Sequence, residues 1–287
     1  MKTAVMACVL MVASAAQSPL RFEGDIAYVP GAGAGQRLDL HLPDRPGFDT
    51  VVFLHGGSLQ ESGERRDSPM YARVCPALAA AGIACAAVDY RLAPAAAWPA
   101  MAEDAAAALA WVKRNIAARG GDPAKVFVFG HSSGCQLAAG LGANARFLAA
   151  QGLGPAHVAG IVAMGCVLAP SEDVLTRYSM DDVGARWRAD SVYRTLEDWL
   201  DADASRFLGA HMPPTLVIVA HRERFFPAIL EQGAKFARRM LELERPADVV
   251  IVPGGHIDSI SGFGAADDPV LAAVLDFIRN PSRMPPN

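Results

Sequence analysis

With 287 residues, 52% of them hydrophobic and only 20% charged, the chain can bury a large core and reads as one domain. A formal charge of −4 leaves no excess of basic residues to meet a polyanion, which excludes nucleic acid as an expected partner. A small, neutral or apolar ligand suits this composition better.

The chain opens with Met1-Lys2-Thr3, an apolar run from Ala4 to Ala13, and the small residues Ser14-Ala15-Ala16. One positive charge, a short apolar run and a small-residue cleavage site predict a secretory signal over 1–16, hence a secreted or periplasmic protein whose mature domain is 17–287. The run is too short to span a bilayer, and no later stretch approaches the roughly 20 apolar residues that a membrane helix needs. Removing the signal takes Cys8 with it and leaves Cys75, Cys85, Cys135 and Cys166. These can pair in three ways or stay as buried thiols, and the sequence does not choose. None has Cys-x-x-Cys spacing or a nearby His pair, so no metal site is expected.

Asp25 to Val29 and Gln36 to Leu42 alternate apolar with polar residues around a glycine-rich turn, which predicts a hairpin of two half-exposed strands. Those glycines follow no buried strand and open no helix, so they fail the context of a dinucleotide-binding loop. Val51-Val52-Phe53-Leu54 is fully apolar, as in a parallel sheet buried on both faces. It ends in His55-Gly56-Gly57-Ser58, where the glycines let backbone N–H groups approach a ligand closely.

A strand and helix alternation follows. Helical spacing runs over Ser68 to Ala81 and Pro99 to Arg119, with an apolar strand at Ile83 to Val88 between them. Val126 to Phe129, Val158 to Met164, Thr215 to Ala220 and Asp248 to Val252 complete the strands, and further helices are expected over Pro227 to Leu243 and Pro269 to Ile278. This pattern predicts an α/β fold with a mostly parallel sheet and helices on both faces. Residues 171–214 break the alternation and form a helical, cap-like insertion between the sixth and seventh strands. Its aromatic residues Trp187, Tyr193 and Trp199 can either line a ligand pocket or form a small core of their own.

The strand at Val126 to Phe129 runs into Gly130-His131-Ser132-Ser133-Gly134, which fits Gly-x-Ser-x-Gly, the strand-turn-helix element that presents a serine nucleophile. Ser132 is the candidate nucleophile. The helix that follows points free N–H groups and a positive dipole end at the serine, favouring an oxyanion there. N–H groups from Gly56, Gly57, Ser58 and Ser133 are the candidate oxyanion hole.

Several motifs together resemble the α/β-hydrolase fold, and within it the bacterial esterase and lipase group of carboxylesterases, hormone-sensitive-lipase-like enzymes and kynurenine formamidases. The motifs are His55-Gly56-Gly57-Ser58, Asp89-Tyr90-Arg91-Leu92-Ala93-Pro94, Glu103-Asp104-Ala105, Gly121-Asp122-Pro123 and Gly130 to Gly134. The resemblance implies an acyl-enzyme mechanism on a small-molecule ester, without a cofactor, and the order nucleophile, acid, histidine. It places the histidine at His256, in the loop after the last strand, with His211 and His221 as rivals. The chain departs from the group at the acid. The loop after the strand before last reads Ala220-His221-Arg222-Glu223-Arg224-Phe225 and holds no aspartate, so Glu223 is the expected acid, with Asp173 or Glu172 as the fallback. Leu59 is a second departure, standing where the formamidase-like members tend to carry tryptophan. A formamide hydrolase, or a hydrolase-like binding protein without turnover, are the alternatives to an esterase.

Overall fold

The computed structural model of the chain describes residues 20–61, 63, 65–166, 168, 192–223 and 226–283. The signal expected over 1–16 lies outside them. So do residues 171–191 of the expected insertion, with Glu172, Asp173, Trp187 and Arg188.

Among the described residues eight strands form one sheet: β1 (Arg21–Ala27), β2 (Arg37–Leu42), β3 (Phe48–Leu54), β4 (Ala84–Val88), β5 (Gly121–His131), β6 (Ile161–Met164), β7 (Thr215–Ala220) and β8 (Ala247–Val252). Their spatial order is β1-β2-β4-β3-β5-β6-β7-β8. Only β2 runs against the others, pairing antiparallel with β1 and β4 while every pair from β4 to β8 is parallel. The expected parallel sheet and its N-terminal hairpin are therefore present. The strands β4, β6 and β7 are buried along their whole length, as their unbroken apolar runs require. At the other edge, β8 is half exposed, with Ile251 open to solvent.

Helices cover both faces. On one face lie α2 (Ala100–Asn115), α3 (Ser133–Ala143), the short α4 (Ala145–Ala149) and α6 (Phe226–Glu242). The other carries α1 (Val74–Ala80) and α8 (Pro269–Arg279). Several expected boundaries shift in detail, two of them for a clear physical reason. Strand β1 starts at Arg21, four residues before the alternation does, because an edge strand can pair on one side with almost no buried face. The helix expected from Ser68 forms only from Val74 onward, with residues 68–73 in turns. Pro76 explains this: its ring clashes with a helical carbonyl four residues back, so it is tolerated only in a first turn.

Of the insertion, α5 (Leu196–Ala202) and the turn Ala204–Phe207 are described. Thr195 and Asp198 cap α5 reciprocally. Trp98 ties this segment down, its backbone N–H donating to the Val192 carbonyl at 2.7 Å and its indole N–H to Asp201 at 2.7 Å. The rings of Tyr193 and Trp199 meet edge to face at 5.3 Å, and Trp98 contacts both Tyr193 and Phe147. Tyr193 and Trp199 thus belong to the large buried core that the insertion shares with the helices and sheet beneath it.

The sheet positions the site through one register relation. Chain order takes β4 to one side of β3 and β5 to the other, a switch point where loops at the carboxyl ends diverge and leave a crevice. Leu54 of β3 pairs with Gly130 of β5, so His55-Gly56 and His131-Ser132 leave the sheet side by side.

Candidate active site

Ser132 sits between β5 and α3 at φ 55° and ψ −126°. A non-glycine residue pays on the order of 1–3 kcal/mol for such a conformation, so the neighbouring chain must enforce it. The two glycines of the motif make that possible. A Cβ on Gly130 would fall on the Gly134 carbonyl, and one on Gly134 would fall on the carbonyls of Leu54 and His55. The turn is therefore packed directly against the end of β3. A Cβ on Gly56 would stand 2.8 Å from that of Ser132, which puts the His55-Gly56-Gly57 loop against the serine as the sequence anticipates.

His256 follows β8 and meets Ser132 across 124 residues of chain, its Nε2 lying 3.0 Å from Oγ. Its other ring nitrogen, Nδ1, lies 3.0 and 2.9 Å from the two carboxylate oxygens of Glu223. A carboxylate only accepts, so Nδ1 carries the proton and donates; Nε2 is left to accept the serine hydroxyl proton. Two backbone bonds align the acid with the histidine: His221 N–H donates to Val252 and Arg222 N–H to Gly254, joining the loops after β7 and β8. Glu223 itself is buried rather than paired at the surface, and Arg222 turns instead to Asp258 at 3.8 Å. Gly165, just after β6, closes the third side at φ +65°. A Cβ there would lie 3.0 Å from Glu223 Oε1 and 3.3 Å from the His256 ring.

The rival histidines stand elsewhere. His211 bonds the Ala143 carbonyl at the end of α3, and His221 is exposed. Asp258 accepts from the Gly255 N–H and opens the short helix α7 (Asp258–Ser261). The fallback acids Glu172 and Asp173 lie outside the described residues.

Among the proposed oxyanion donors, Gly56 needs correction. Its N–H donates to the Tyr71 hydroxyl at 2.9 Å, so it is already committed. Gly57 and Ser58 follow at φ +108° and +60°, and Leu59 is buried behind them at φ +61°. The N–H of Ser133 lies in the first turn of α3, where a helix offers no acceptor of its own.

The motif that begins at Asp89 holds this loop in place. Tyr90 stacks on the His55 ring at 4.5 Å and donates to the His55 carbonyl. Asp89 accepts from the Arg66 backbone and guanidinium, and Arg66 also meets Asp39 at 2.9 Å. Arg91 grips buried Asp104 through Nε at 2.7 Å and Nη2 at 2.9 Å. The cysteines pair as Cys75–Cys85 and Cys135–Cys166, the second joining the helix after Ser132 to the residue after Gly165. Tyr71, His131 and Gly165 were not singled out from the sequence. Of these, only His131 stands inside a motif, at its variable position. Among the described residues no group of metal-ligating side chains is found, and no helix is long and apolar enough to cross a membrane.

Residues 51–258 match the sequence profile of a family described as alpha/beta hydrolase fold. The chain belongs to that family. Esterase LipQ of Mycobacterium tuberculosis is 37% identical over 120 residues, covering 40% of this chain and 27% of LipQ. Esterase LipC of the same organism is 29% identical over 274 residues, covering 88% of this chain and 64% of LipC. In both cases the chain spans less than two thirds of the relative's length. The solved hyperthermophilic esterase of the archaeon Pyrobaculum calidifontis superposes with a TM-score of 0.72 at 25% identity, over 91% of this chain and 85% of that one.

Proposed function

We propose that this chain hydrolyses carboxylic esters of modest size through an acyl-enzyme formed on Ser132. The observation that carries the reading is the line from Ser132 Oγ to His256 Nε2 at 3.0 Å and from His256 Nδ1 to Glu223 at 2.9 Å. In the first half-reaction Oγ attacks the acyl carbonyl carbon while its proton passes to Nε2. The carbonyl oxygen becomes an oxyanion, accepted by the N–H groups of Ser133 and of Gly57 or Ser58, a donor of this kind contributing about 3 kcal/mol. Collapse breaks the bond to the alcohol, which leaves with the proton from Nε2. Water then repeats the sequence on the acyl-enzyme, releasing the acid and restoring Ser132. Glu223 holds the Nδ1 proton and offsets the positive charge that His256 carries in each step.

The esterase names of the relatives support this substrate class. The hydrogen bonds from His256 Nδ1 to Glu223 favour turnover over a binding protein that lacks a triad acid. Two disulfides support an exported protein, since such bonds persist in oxidising compartments. The test is hydrolysis of p-nitrophenyl acetate, butyrate and octanoate beside Ser132→Ala. Turnover that vanishes in Ser132→Ala, with fluorophosphonate labelling of the parent protein alone, supports the reading. No turnover and no labelling sink it.

A further inference from the structure

Two buried side chains outside the Ser132, His256 and Glu223 group connect its parts. Tyr71 lies in the turn before α1 and is 3% exposed; His131 ends β5 and is 1% exposed. The His256 carbonyl can only accept, so His131 Nε2, at 3.1 Å, carries a proton and donates to it. The neutral ring then accepts at Nδ1, taking the Tyr71 hydroxyl proton at 2.9 Å. The Tyr71 oxygen in turn accepts the Gly56 N–H at 2.9 Å. A continuous chain of hydrogen bonds therefore runs from the His55-Gly56-Gly57 loop to the backbone of His256. The rings of His131 and His256 also lie together, with centroids 4.7 Å apart.

We propose that Tyr71 and His131 are positioning residues that hold His256 and the Gly56-Gly57 loop in one fixed relation to Ser132. The inference rests on the ester-hydrolase reading above. Its strength is that His131 is the chain neighbour of Ser132, so the base is referenced to the backbone of its own nucleophile. Packing alone asks for nothing polar here: the Tyr71 ring lies against buried Phe53 at 5.5 Å, and a buried polar group is costly unless paired. Burial, and after it the neighbouring His256, push His131 down to about 3, so its ring stays neutral near pH 7 and its donor and acceptor keep their roles there.

The test measures kcat and KM on p-nitrophenyl butyrate for His131→Leu, His131→Gln and Tyr71→Phe. We expect kcat to fall roughly ten- to a hundredfold in His131→Leu and Tyr71→Phe with KM changed less than about threefold, because a misplaced base or donor is felt in the transition state. His131→Gln keeps one donor and one acceptor and recovers part of the loss. Parental kcat and KM in folded His131→Leu and Tyr71→Phe overturn the proposal. Tyr71→Phe carries the test alone if His131→Leu does not fold. If the parent neither turns over esters nor takes a fluorophosphonate at Ser132, the ester reading falls and the 15N signals of the His256 ring decide on positioning. Altered hydrogen-bonding signatures in Tyr71→Phe support it, and unchanged ones overturn it.

Discussion

Glu223 meets Nδ1 of His256 with both carboxylate oxygens, at 3.0 and 2.9 Å, from a loop that carries no aspartate. A glutamate is one methylene longer than an aspartate, and the loop accommodates it without exposing it: the side chain is 5% exposed against 33% for that of His256. The acid is thus shielded from water while the histidine stays partly exposed.

Replacing Glu223 by Gln keeps the shape but removes the charge, and its amide can present an N–H to Nδ1. That favours the tautomer with the proton on Nε2, where it can no longer accept from Ser132. Glu223→Gln is expected to lower kcat by about 10³–10⁴-fold with little change in KM, as loss of the acid does in triads of this kind. Steady-state kinetics on p-nitrophenyl butyrate check this, beside Asp173→Asn. A collapse in Asp173→Asn with Glu223→Gln intact would transfer the role to the earlier loop.

Gly134 is predicted to tolerate nothing larger. The clash its Cβ would make is with two backbone carbonyls at the end of β3, which cannot move without parting β3 from β5. Overpacking of this kind costs about 1–3 kcal/mol or more, so Gly134→Ala should lose about 3 kcal/mol in urea titration and most of its turnover. Gly140→Ala, in the same helix with open space at its Cβ, serves as the control and should be neutral or slightly stabilising. Equal stability of the two variants would contradict the close approach.

Much of this arrangement was legible in the sequence because it rests on local signals. The unbroken apolar runs of β3 to β7 mark strands buried on both faces, and Gly130 to Gly134 marks the turn after β5. The motif that begins at Asp89 was visible too, although its role is to brace the His55 loop through Tyr90. What escaped was long-range. Tyr71 reads as one more residue of the expected helix until the fold brings it to His131, 60 positions away. Gly165 is an unremarked glycine until Glu223 and His256 close on it. No rule of spacing selects among the cysteine pairings, which follow from α1 lying beside β4 and α3 beside the end of β6. The commitment of the Gly56 N–H to Tyr71 was hidden for the same reason.

The disulfide Cys135–Cys166 should matter for both stability and turnover. It closes a loop of 31 residues, for which chain entropy gives about 3–4 kcal/mol, against about 3 kcal/mol for the 10-residue separation of Cys75 and Cys85. Position separates the two more sharply than loop length. Cys135 is three residues beyond Ser132 and Cys166 adjoins Gly165, whereas Cys75–Cys85 joins α1 to β4. Paired serine variants of each bridge, followed by thermal unfolding and kcat, should show stability lost in both but kcat lowered at 25 °C only for Cys135→Ser with Cys166→Ser. Unchanged kcat in that variant would mean that packing alone holds the elbow against the loop of Gly165.

His131 also predicts how stability depends on pH. In the folded chain its imidazole is pushed down to about 3 from the ordinary value of 6.5, mainly by burial. Below 6.5 the unfolded chain binds a proton that the folded chain refuses, so stability is full above that value and falls as the pH is lowered towards 3. The slope for one such group approaches about 1.4 kcal/mol per pH unit across that window. Other groups titrate in the same range, so the informative quantity is the difference between parent and variant. His131→Gln lacks the titrating ring and should lose about 1.6 kcal/mol less than the parent between pH 6.5 and pH 5 in urea titrations. Parallel slopes for the two proteins would show that the folded chain takes up the same proton on His131 below pH 6.5, where Nδ1 could no longer accept from Tyr71.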